Sequence, residues 1–206
     1  GCDASILIDS SKDNTAEKDS PANLSLRGYE IIDAAKDALE KQCPGVVSCA
    51  DILAMAARDA VFFAGGPVYD IPKGRKDGRR SKIEDTINLP PPNLNSSELI
   101  RMFGQRGFTP QQMVALSGDS AEQRRSTPPE TLSTMTTSML CRGRRGVLFS
   151  DQTLFESVQT RGIVNAYAMN QAMFFFAFQQ AMVKMGVMDV KEGSNGEVRN
   201  TCRVIN

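Results

Sequence analysis

Two helical patterns separated by a Pro-Gly pair constrain the fold of this chain most strongly. In residues 27–42 (RGYEIIDAAKDALEKQ) the apolar side chains recur at helical spacing and form one stripe. Ser48 is the predicted N-cap of the second helix, which runs through ADILAMAARDAVFF. Asp51 follows three positions later, where its carboxylate complements free backbone N–H groups. Because almost no charge interrupts residues 52–57, we expect them to be buried on most sides.

The later parts of the chain are also strongly helical. Asn95 or Ser96 opens a helix in SELIRMFGQRG. Thr109 is the predicted N-cap of the next helix, with proline at its first position and a capping-box glutamine behind it. That helix ends at Gly118, and residues 160–187 predict two more. The second of these carries a Phe/Met stripe, which we interpret as core.

Three stretches of the sequence are predicted to be less regular. Residues 68–94 are predicted to be irregular, with VYDIP and DTINLPPPN as short extended pieces, because the proline triplet 90–92 cannot be helical. VLFSDQTLF predicts a short strand or turn followed by a helix. The tail GEVRNTCRVIN predicts a strand or coil, tied down through Cys202.

Composition excludes several classes of function. The 206 residues contain 24 Lys and Arg and 24 Asp and Glu, so net charge is zero and nucleic acid is not an expected partner. No apolar run approaches the ~18 residues of a membrane span, so no membrane is expected either. There is no histidine, which excludes a Ser-His-Asp triad, a histidine zinc site and a histidine-ligated haem.

The first residues, GCDASILID, suggest a cation site. Gly1, Asp3 and Ser5 alternate, and they supply a carbonyl, a carboxylate and a hydroxyl, which are the hard oxygen donors that suit Ca²⁺. Glu17 could add a ligand through water. By itself the pattern is a weak signal, since a short loop with an aspartate is usually an ordinary loop and such a site would be underfilled.

Nine stretches together resemble the secretory plant peroxidases, the class III haem peroxidase family. They are, in family order, GCDASILID, AEKDSPANLSLRGYEIID, CPGVVSCADILAMAARDAV, YDIPKGRKDGR, NLPPPN, FTPQQMVALSG, GVLFSDQTLF, FFFAFQQAMVKM and GEVRNTCRVIN. The resemblance covers residues 1–118 and 146–206. It implies an all-α, two-lobed helical fold, here incomplete. It also implies a secreted, glycosylated monomer of the extracellular space, cell wall or vacuole.

The resemblance further implies haem b and two Ca²⁺ ions as cofactors, and oxidation of small phenolic donors by hydrogen peroxide. Its structural residues are the distal calcium ligands Gly1, Asp3 and Ser5 with the water-linked Glu17, the disulfide Cys49–Cys202 and the buried ion pair Asp51–Arg75. Its haem-side residues are Asn23, which orients the distal histidine, Ser25 near a haem propionate, Pro90 at the substrate edge and Asp151, which accepts the N–H of the proximal histidine.

These haem-side residues also have plainer interpretations. Asn23 and Ser25 could be helix caps, and Pro90 could be a turn residue. Asp151, in SDQTLF, could be a carboxylate at a helix N-terminus, where the helix dipole favours negative charge.

The sequence departs from the family pattern at the residues that ligate the iron and act on peroxide in the family. After VALSG the family continues AHTLG, whose histidine ligates the iron, whereas Asp119 and Ser120 follow here. The family's distal arginine and histidine, and the cysteines that pair with Cys2 and Cys43, lie before GCDAS or in other segments that this sequence does not contain. We therefore expect the proximal ligand and the second calcium site to be missing.

Residues 125–143 suggest how the departure arose. This string, RSTPPETLSTMTTSMLCRG, can be spelled by the codons of the family phrase FDATRNTFDNDYFNALQ read in a shifted frame. The hypothesis is a skipped exon after Gly118 followed by out-of-frame translation, which would make Cys141 an accident of frame. The alternative is a divergent surface loop. The sequence thus divides into a distal-side region with the central helices (1–118), a disrupted segment (119–145) and the C-terminal proximal-side helices (146–206).

Three functions are compatible with the sequence. The first is a haem peroxidase that oxidises phenolic donors, with roles in peroxide removal, oxidative stress and cell-wall phenolics. The second is a catalytically inactive remnant that lacks the distal arginine and histidine and the proximal histidine, in which haem binding is doubtful. The third is a secreted interaction protein without enzyme activity.

Overall fold

The computed structural model describes residues 2–117 and 148–206, and the regular elements in these two stretches are helical. The all-α prediction is therefore confirmed, and no β-strand is found in the described part. The predictions for Gly1, for Cys141 and for the disrupted segment 119–145 fall outside the described residues. Within residues 2–117 and 148–206 the seven α-helices are α1 (Tyr29–Gln42), α2 (Cys49–Phe63), α3 (Ser96–Gln105), α4 (Pro110–Ser117), α5 (Phe149–Glu156), α6 (Val158–Met169) and α7 (Gln171–Gly186).

The chain forms two compact units, each discontinuous in sequence. The first unit comprises Gly1–Asp59, Asp70–Leu89 and Met185–Asn206, and the second comprises Ala60–Tyr69 and Pro90–Lys184. The three regions predicted from sequence are continuous stretches, so they remain a division of the sequence rather than of the structure.

The first unit has a core built around a disulfide. Buried side chains from the N-terminal loop, α1, α2 and the C-terminal tail pack against one another. Cys49 at the start of α2 and Cys202 in the tail are bonded, with an S–S distance of 2.09 Å. The other buried members are Ala4, Leu7, Ile32, Ala50 and Ile52.

The second unit has an aromatic core. Phe174 of α7 lies edge-on to Tyr167 of α6, at 5.6 Å between ring centroids, and stacks on Phe178 at 5.9 Å. Phe174 and Phe178 are 1% and 3% exposed, so the core interpretation holds for this part of the Phe/Met stripe. Phe176, on another face of α7, is 64% exposed.

Local sequence signals set the starts of three helices. Asn95 caps α3: its side chain accepts the Glu98 N–H at 3.0 Å, and the Glu98 carboxylate accepts the Asn95 N–H at 3.1 Å. Thr109 and Gln112 make the same reciprocal pair at α4, at 3.2 and 3.1 Å. Ser48 accepts the Asp51 N–H at 3.1 Å at the start of α2. All three predicted caps are confirmed.

Three other expectations need correction. Within residues 52–57 only Ile52 is fully buried. The Asp51 carboxylate accepts hydrogen bonds from Gly74 and Arg75 instead of from its own helix. The stretch Ile83–Asn88 is a 3₁₀ helix rather than an extended piece, and the Thr86 hydroxyl donates to the Ile83 carbonyl within it.

Within the part of the chain that the structure describes, no helix combines the length and the apolar character needed to cross a membrane.

Candidate functional site

The N-terminal loop gathers three of the four predicted calcium residues. The Ser5 hydroxyl donates to Glu17 Oε2 at 2.9 Å, and the Ser5 backbone N–H donates to Asp3 Oδ1 at 3.2 Å. Two short 3₁₀ helices, Ser5–Leu7 and Glu17–Asp19, carry the serine and the glutamate. The fourth predicted residue, Gly1, lies outside the described residues. The structure therefore brings two carboxylates and a hydroxyl to one place.

The backbone of this loop is held from two sides. The Gly78 N–H donates to the Asp3 carbonyl at 2.7 Å, and a Cβ on Gly78 would lie only 2.5 Å from Asp3 Oδ2. Arg199 donates from Nη2 to the Ala4 carbonyl at 2.7 Å and to the Asp3 carbonyl at 3.3 Å. Ala4 has a left-handed backbone, with φ at 56°, which these contacts help to maintain.

The donor set fits calcium in chemistry but fills only part of a coordination sphere. Burial raises the pKa of Glu17; the Ser5 hydroxyl opposes this shift, and the negative charge of Asp3 adds to it. A bound cation would offset both the desolvation of the Glu17 carboxylate and its repulsion from Asp3. Calcium takes six to eight oxygen ligands, and within residues 2–117 and 148–206 no group of three or more His, Cys, Asp and Glu could hold a metal ion.

Asn23 is attached to this loop through Glu17. Its Nδ2 donates to the Glu17 carbonyl at 2.8 Å, which fixes the amide plane and turns Oδ1 to the other side. Neither Asn23 nor Ser25 caps a helix, since α1 begins at Tyr29 behind Gly28. Ser25 is exposed.

The expected ion pair is present in the first unit. Arg75 Nη1 lies 3.1 Å from Asp51 Oδ1, and the two side chains are 3% and 9% exposed. The Gly74 N–H also donates to Asp51, at 2.6 Å, and Arg75 Nη2 donates to the Gly186 carbonyl at 2.7 Å. Such added hydrogen bonds offset the desolvation of a buried pair.

Sequence reasoning missed Asp77, which is fully buried at the N-terminus of α2. Its carboxylate accepts the backbone N–H groups of Cys49 at 3.1 Å, Ala50 at 2.8 Å and Arg199 at 2.9 Å. It also lies 3.8 Å from Arg199 Nε. Because Asp77 lies 27 residues after Ala50, no local spacing of residues at the start of α2 predicts this cap.

In the second unit, Pro90 and Asp151 line one cavity of about 250 Å³. The structure thus brings together the residues that the resemblance assigns to the substrate edge and the proximal side. The other lining residues are Pro91, Pro92, Leu99, Phe103, Leu116, Ser117, Leu148 and Ser150.

Asp151 lies in the first turn of α5 and is 2% exposed. Its Oδ2 accepts the Leu148 backbone N–H at 3.0 Å, so it serves as a helix-terminus carboxylate, as in its plainer interpretation. The sequence contains no histidine. The residues present therefore do not fit the family's ligation of haem, and no step through haem follows from this site.

A second cavity, of about 500 Å³, lies among α4, α6 and α7 and is mostly apolar. Tyr167 lines it, and the Tyr167 hydroxyl donates to the Gln111 carbonyl at 3.1 Å. None of the predicted site residues lies there.

Comparison with known proteins is consistent with the motifs. The family model described as peroxidase matches residues 1–121. Peroxidase 47 of Arabidopsis thaliana is 60% identical, over 100% of this chain and 75% of that protein. Peroxidase 66 of Arabidopsis thaliana is 39% identical and Peroxidase 5 of Vitis vinifera 40% identical, each over 100% of this chain and 78% of the relative.

The extent of the matches also bears on the junction after Gly118. The family match ends at residue 121, close behind that glycine. The match to Peroxidase 47 extends over 243 residues, although this chain has only 206. The relative therefore has residues in the matched stretch without counterparts here, as an internal loss of family sequence would produce. With the all-α fold and the matched motifs, these findings establish that the chain belongs to the class III haem peroxidase family of plants.

Proposed function

We propose that this chain descends from enzymes that oxidise phenolic donors with hydrogen peroxide and has itself lost that activity. In this proposal it keeps the N-terminal calcium loop and the disulfide-bonded core of the first unit. The family reaction depends on an iron ligand that this sequence does not supply.

The observation that carries the proposal is the sequence at the family's iron ligand. Asp119 and Ser120 follow Gly118 where the resemblance places Ala and His, and the 206 residues contain no histidine at all. Asp151, whose family role is to accept the imidazole N–H, is buried and accepts a backbone N–H of its own helix terminus. Without imidazole, the family's axial ligation of haem cannot form.

Retention of calcium is supported by the loop geometry. Asp3, Ser5 and Glu17 would hold the ion, and its charge would offset the repulsion between the two carboxylates. Asn23 bonds to the backbone of Glu17, so an ordered loop also orders the side chain that faces the distal side in the family.

The test is to express the chain, add haem and Ca²⁺, record the Soret band and assay guaiacol oxidation. We expect no five-coordinate high-spin spectrum and no peroxide turnover above that of free haem. A normal peroxidase spectrum together with guaiacol turnover would overturn the proposal.

A pair of variants separates loss of the ligand from general misfolding. D119A/S120H restores the family's Ala-His after Gly118, and D119A/S120A is its matched control. A Soret band that appears only with the histidine variant attributes the defect to the missing imidazole. Equal Soret bands in both variants would show that another residue ligates the iron.

We also propose that the chain follows the secretory route, to the extracellular space or vacuole, as a monomer. The Cys49–Cys202 disulfide supports an oxidising compartment. A secreted interaction protein without enzyme activity remains the alternative, and no surface in the described residues favours it over an inactive peroxidase.

A further inference from the structure

The sequence contains two Asn-X-Ser acceptor motifs for N-glycosylation, and the structure distinguishes them. They are Asn23-Leu24-Ser25 in the first unit and Asn95-Ser96-Ser97 in the second. The motif itself is permissive, so the chemistry around each amide nitrogen decides which asparagine can carry a glycan in the folded chain.

We infer that Asn95 is an N-glycosylation site and that Asn23 is not glycosylated in the folded protein. Asn95 and Ser97 are both exposed. Asn95 precedes α3 in a loop whose prolines 90–92 are exposed as well, so a bulky hydrophilic group at this position meets solvent. The inference rests on the proposed secretory route, because the transfer takes place in that compartment.

The two atoms of the Asn95 amide have separate tasks. Oδ1 accepts the Glu98 N–H at 3.0 Å and so caps α3. Glycosylation takes place at Nδ2, which loses one proton and forms a bond to C1 of the first sugar, while the bond from C1 to a lipid-diphosphate carrier breaks. The carrier leaves with its oxygen, and Asn95 Oδ1 keeps its acceptor role. The helix cap is therefore compatible with the modification.

Asn23 has the opposite arrangement. Its Nδ2 donates to the Glu17 carbonyl at 2.8 Å, and the side chain is half-buried. A sugar on this nitrogen would replace one of its two protons and would have to fit beside the Glu17 carbonyl, at a half-buried contact of the N-terminal loop. We therefore expect a glycan on Asn23 to disfavour the described fold of the first unit.

The experiment supplies the chain with a heterologous signal sequence and expresses it in insect cells, so that its own route is not at issue. The signal-cleaved chain from whole cells is treated with peptide-N-glycosidase in H₂¹⁸O and mapped by mass spectrometry. We expect ¹⁸O-labelled aspartate at position 95 in the total pool. We expect none at position 23 in the soluble, protease-resistant fraction.

Three variants make the assignment specific. S97A removes the acceptor motif but leaves the Asn95 cap, S97T keeps the motif, and S25A removes the other motif. We expect the glycan-dependent mobility shift to disappear only in S97A. A signal-cleaved chain without label at position 95, or a folded fraction labelled at position 23, would overturn the inference.

The outcome is independent of the proposed loss of peroxidase activity. A wild-type chain that oxidised guaiacol yet carried the glycan would overturn only the proposed function. A chain that is not secreted when expressed from its natural gene, alongside glycosylation with the supplied signal, would overturn only the proposed route.

Discussion

At the scale of single residues, Arg199 holds the N-terminal loop in place. Its side chain is fully buried, and its Nη1 donates to the Cys202 carbonyl at 2.7 Å while Nη2 reaches the carbonyls of Ala4 and Asp3. Burial lowers its pKa, and the charge of Asp77 opposes that shift. Nε has no hydrogen-bond partner. One planar guanidinium thus joins two distant segments, a geometry that a lysine ammonium cannot reproduce.

We expect R199K to weaken Ca²⁺ binding and to destabilise the first unit. Buried carbonyls left without donors cost about 1–3 kcal/mol each, so a loss of about 2–4 kcal/mol is expected. This corresponds to a fall in Tm on the order of 10 °C for a chain of this size. Calorimetric titration with Ca²⁺ and thermal unfolding with Ca²⁺ or EDTA measure the two effects.

R79K is the matched control for this substitution. The Arg79 side chain pairs with Glu197 at 3.1 Å and also donates to the carbonyls of Ser194 and Gly196. Because this side chain is 52% exposed, solvent can replace those bonds, and its replacement should cost less than about 1 kcal/mol. If R199K bound Ca²⁺ as tightly as the wild type and melted at the same temperature, Arg199 would not be what holds the loop.

At the scale of helices, two kinds of cap can be compared. Asn95 caps α3 from the adjacent residue and is exposed, whereas Asp77 caps α2 from a distant segment and is fully buried. A charged cap at a buried helix terminus gains from the helix dipole and from stronger hydrogen bonds. The contribution of Asp77 to stability should therefore exceed that of Asn95.

We expect D77N to lower the free energy of unfolding by about 2–4 kcal/mol, because it removes a charge that accepts three buried N–H groups. N95A should cost about 1 kcal/mol. Urea unfolding followed by circular dichroism gives both values. The idea fails if the two substitutions have equal effects, since buried charge would then contribute nothing beyond an ordinary cap.

The same comparison explains what the sequence could predict. The caps at Ser48, Asn95 and Thr109 act within three residues of chain, so local spacing revealed them. Asp77 and Arg199 act across 27 and 195 residues, and no local pattern encodes such a contact. The 3₁₀ helix at residues 83–88 was missed because six residues, four of them polar, are too few to show a helical stripe.

The candidate site residues also divide into those with a local sequence signal and those without one. Asp3 and Ser5 could be read from alternation of oxygen donors near the N-terminus. The shared cavity of Pro90 and Asp151 was not visible in any spacing, because 61 residues separate them in sequence. For these residues, and for the Cys49–Cys202 pair, the family resemblance supplied what local chemistry could not.

At the scale of the whole molecule, the Cys49–Cys202 bond links positions 153 residues apart in the first unit. In the chain-entropy account, closing so long a loop destabilises the unfolded chain by up to about 5 kcal/mol. The C-terminal tail also has non-covalent contacts: the Asp9 N–H donates to the Arg203 carbonyl at 2.9 Å, and Arg203 pairs with Asp33 at 2.5 Å. These contacts should keep the tail in place in a reduced but folded chain.

We therefore expect C49A/C202A to fold at low temperature and to lose about 2–5 kcal/mol of stability. Its helical circular dichroism should match the wild type at 10 °C, and its Tm should fall on the order of 10 °C. C43A is the control, because Cys43 forms no disulfide within the described residues and its Sγ donates to the Leu39 carbonyl in the last turn of α1 at 3.3 Å. A double variant as stable as C43A would mean that the non-covalent contacts of the tail, rather than the covalent link, hold the first unit together.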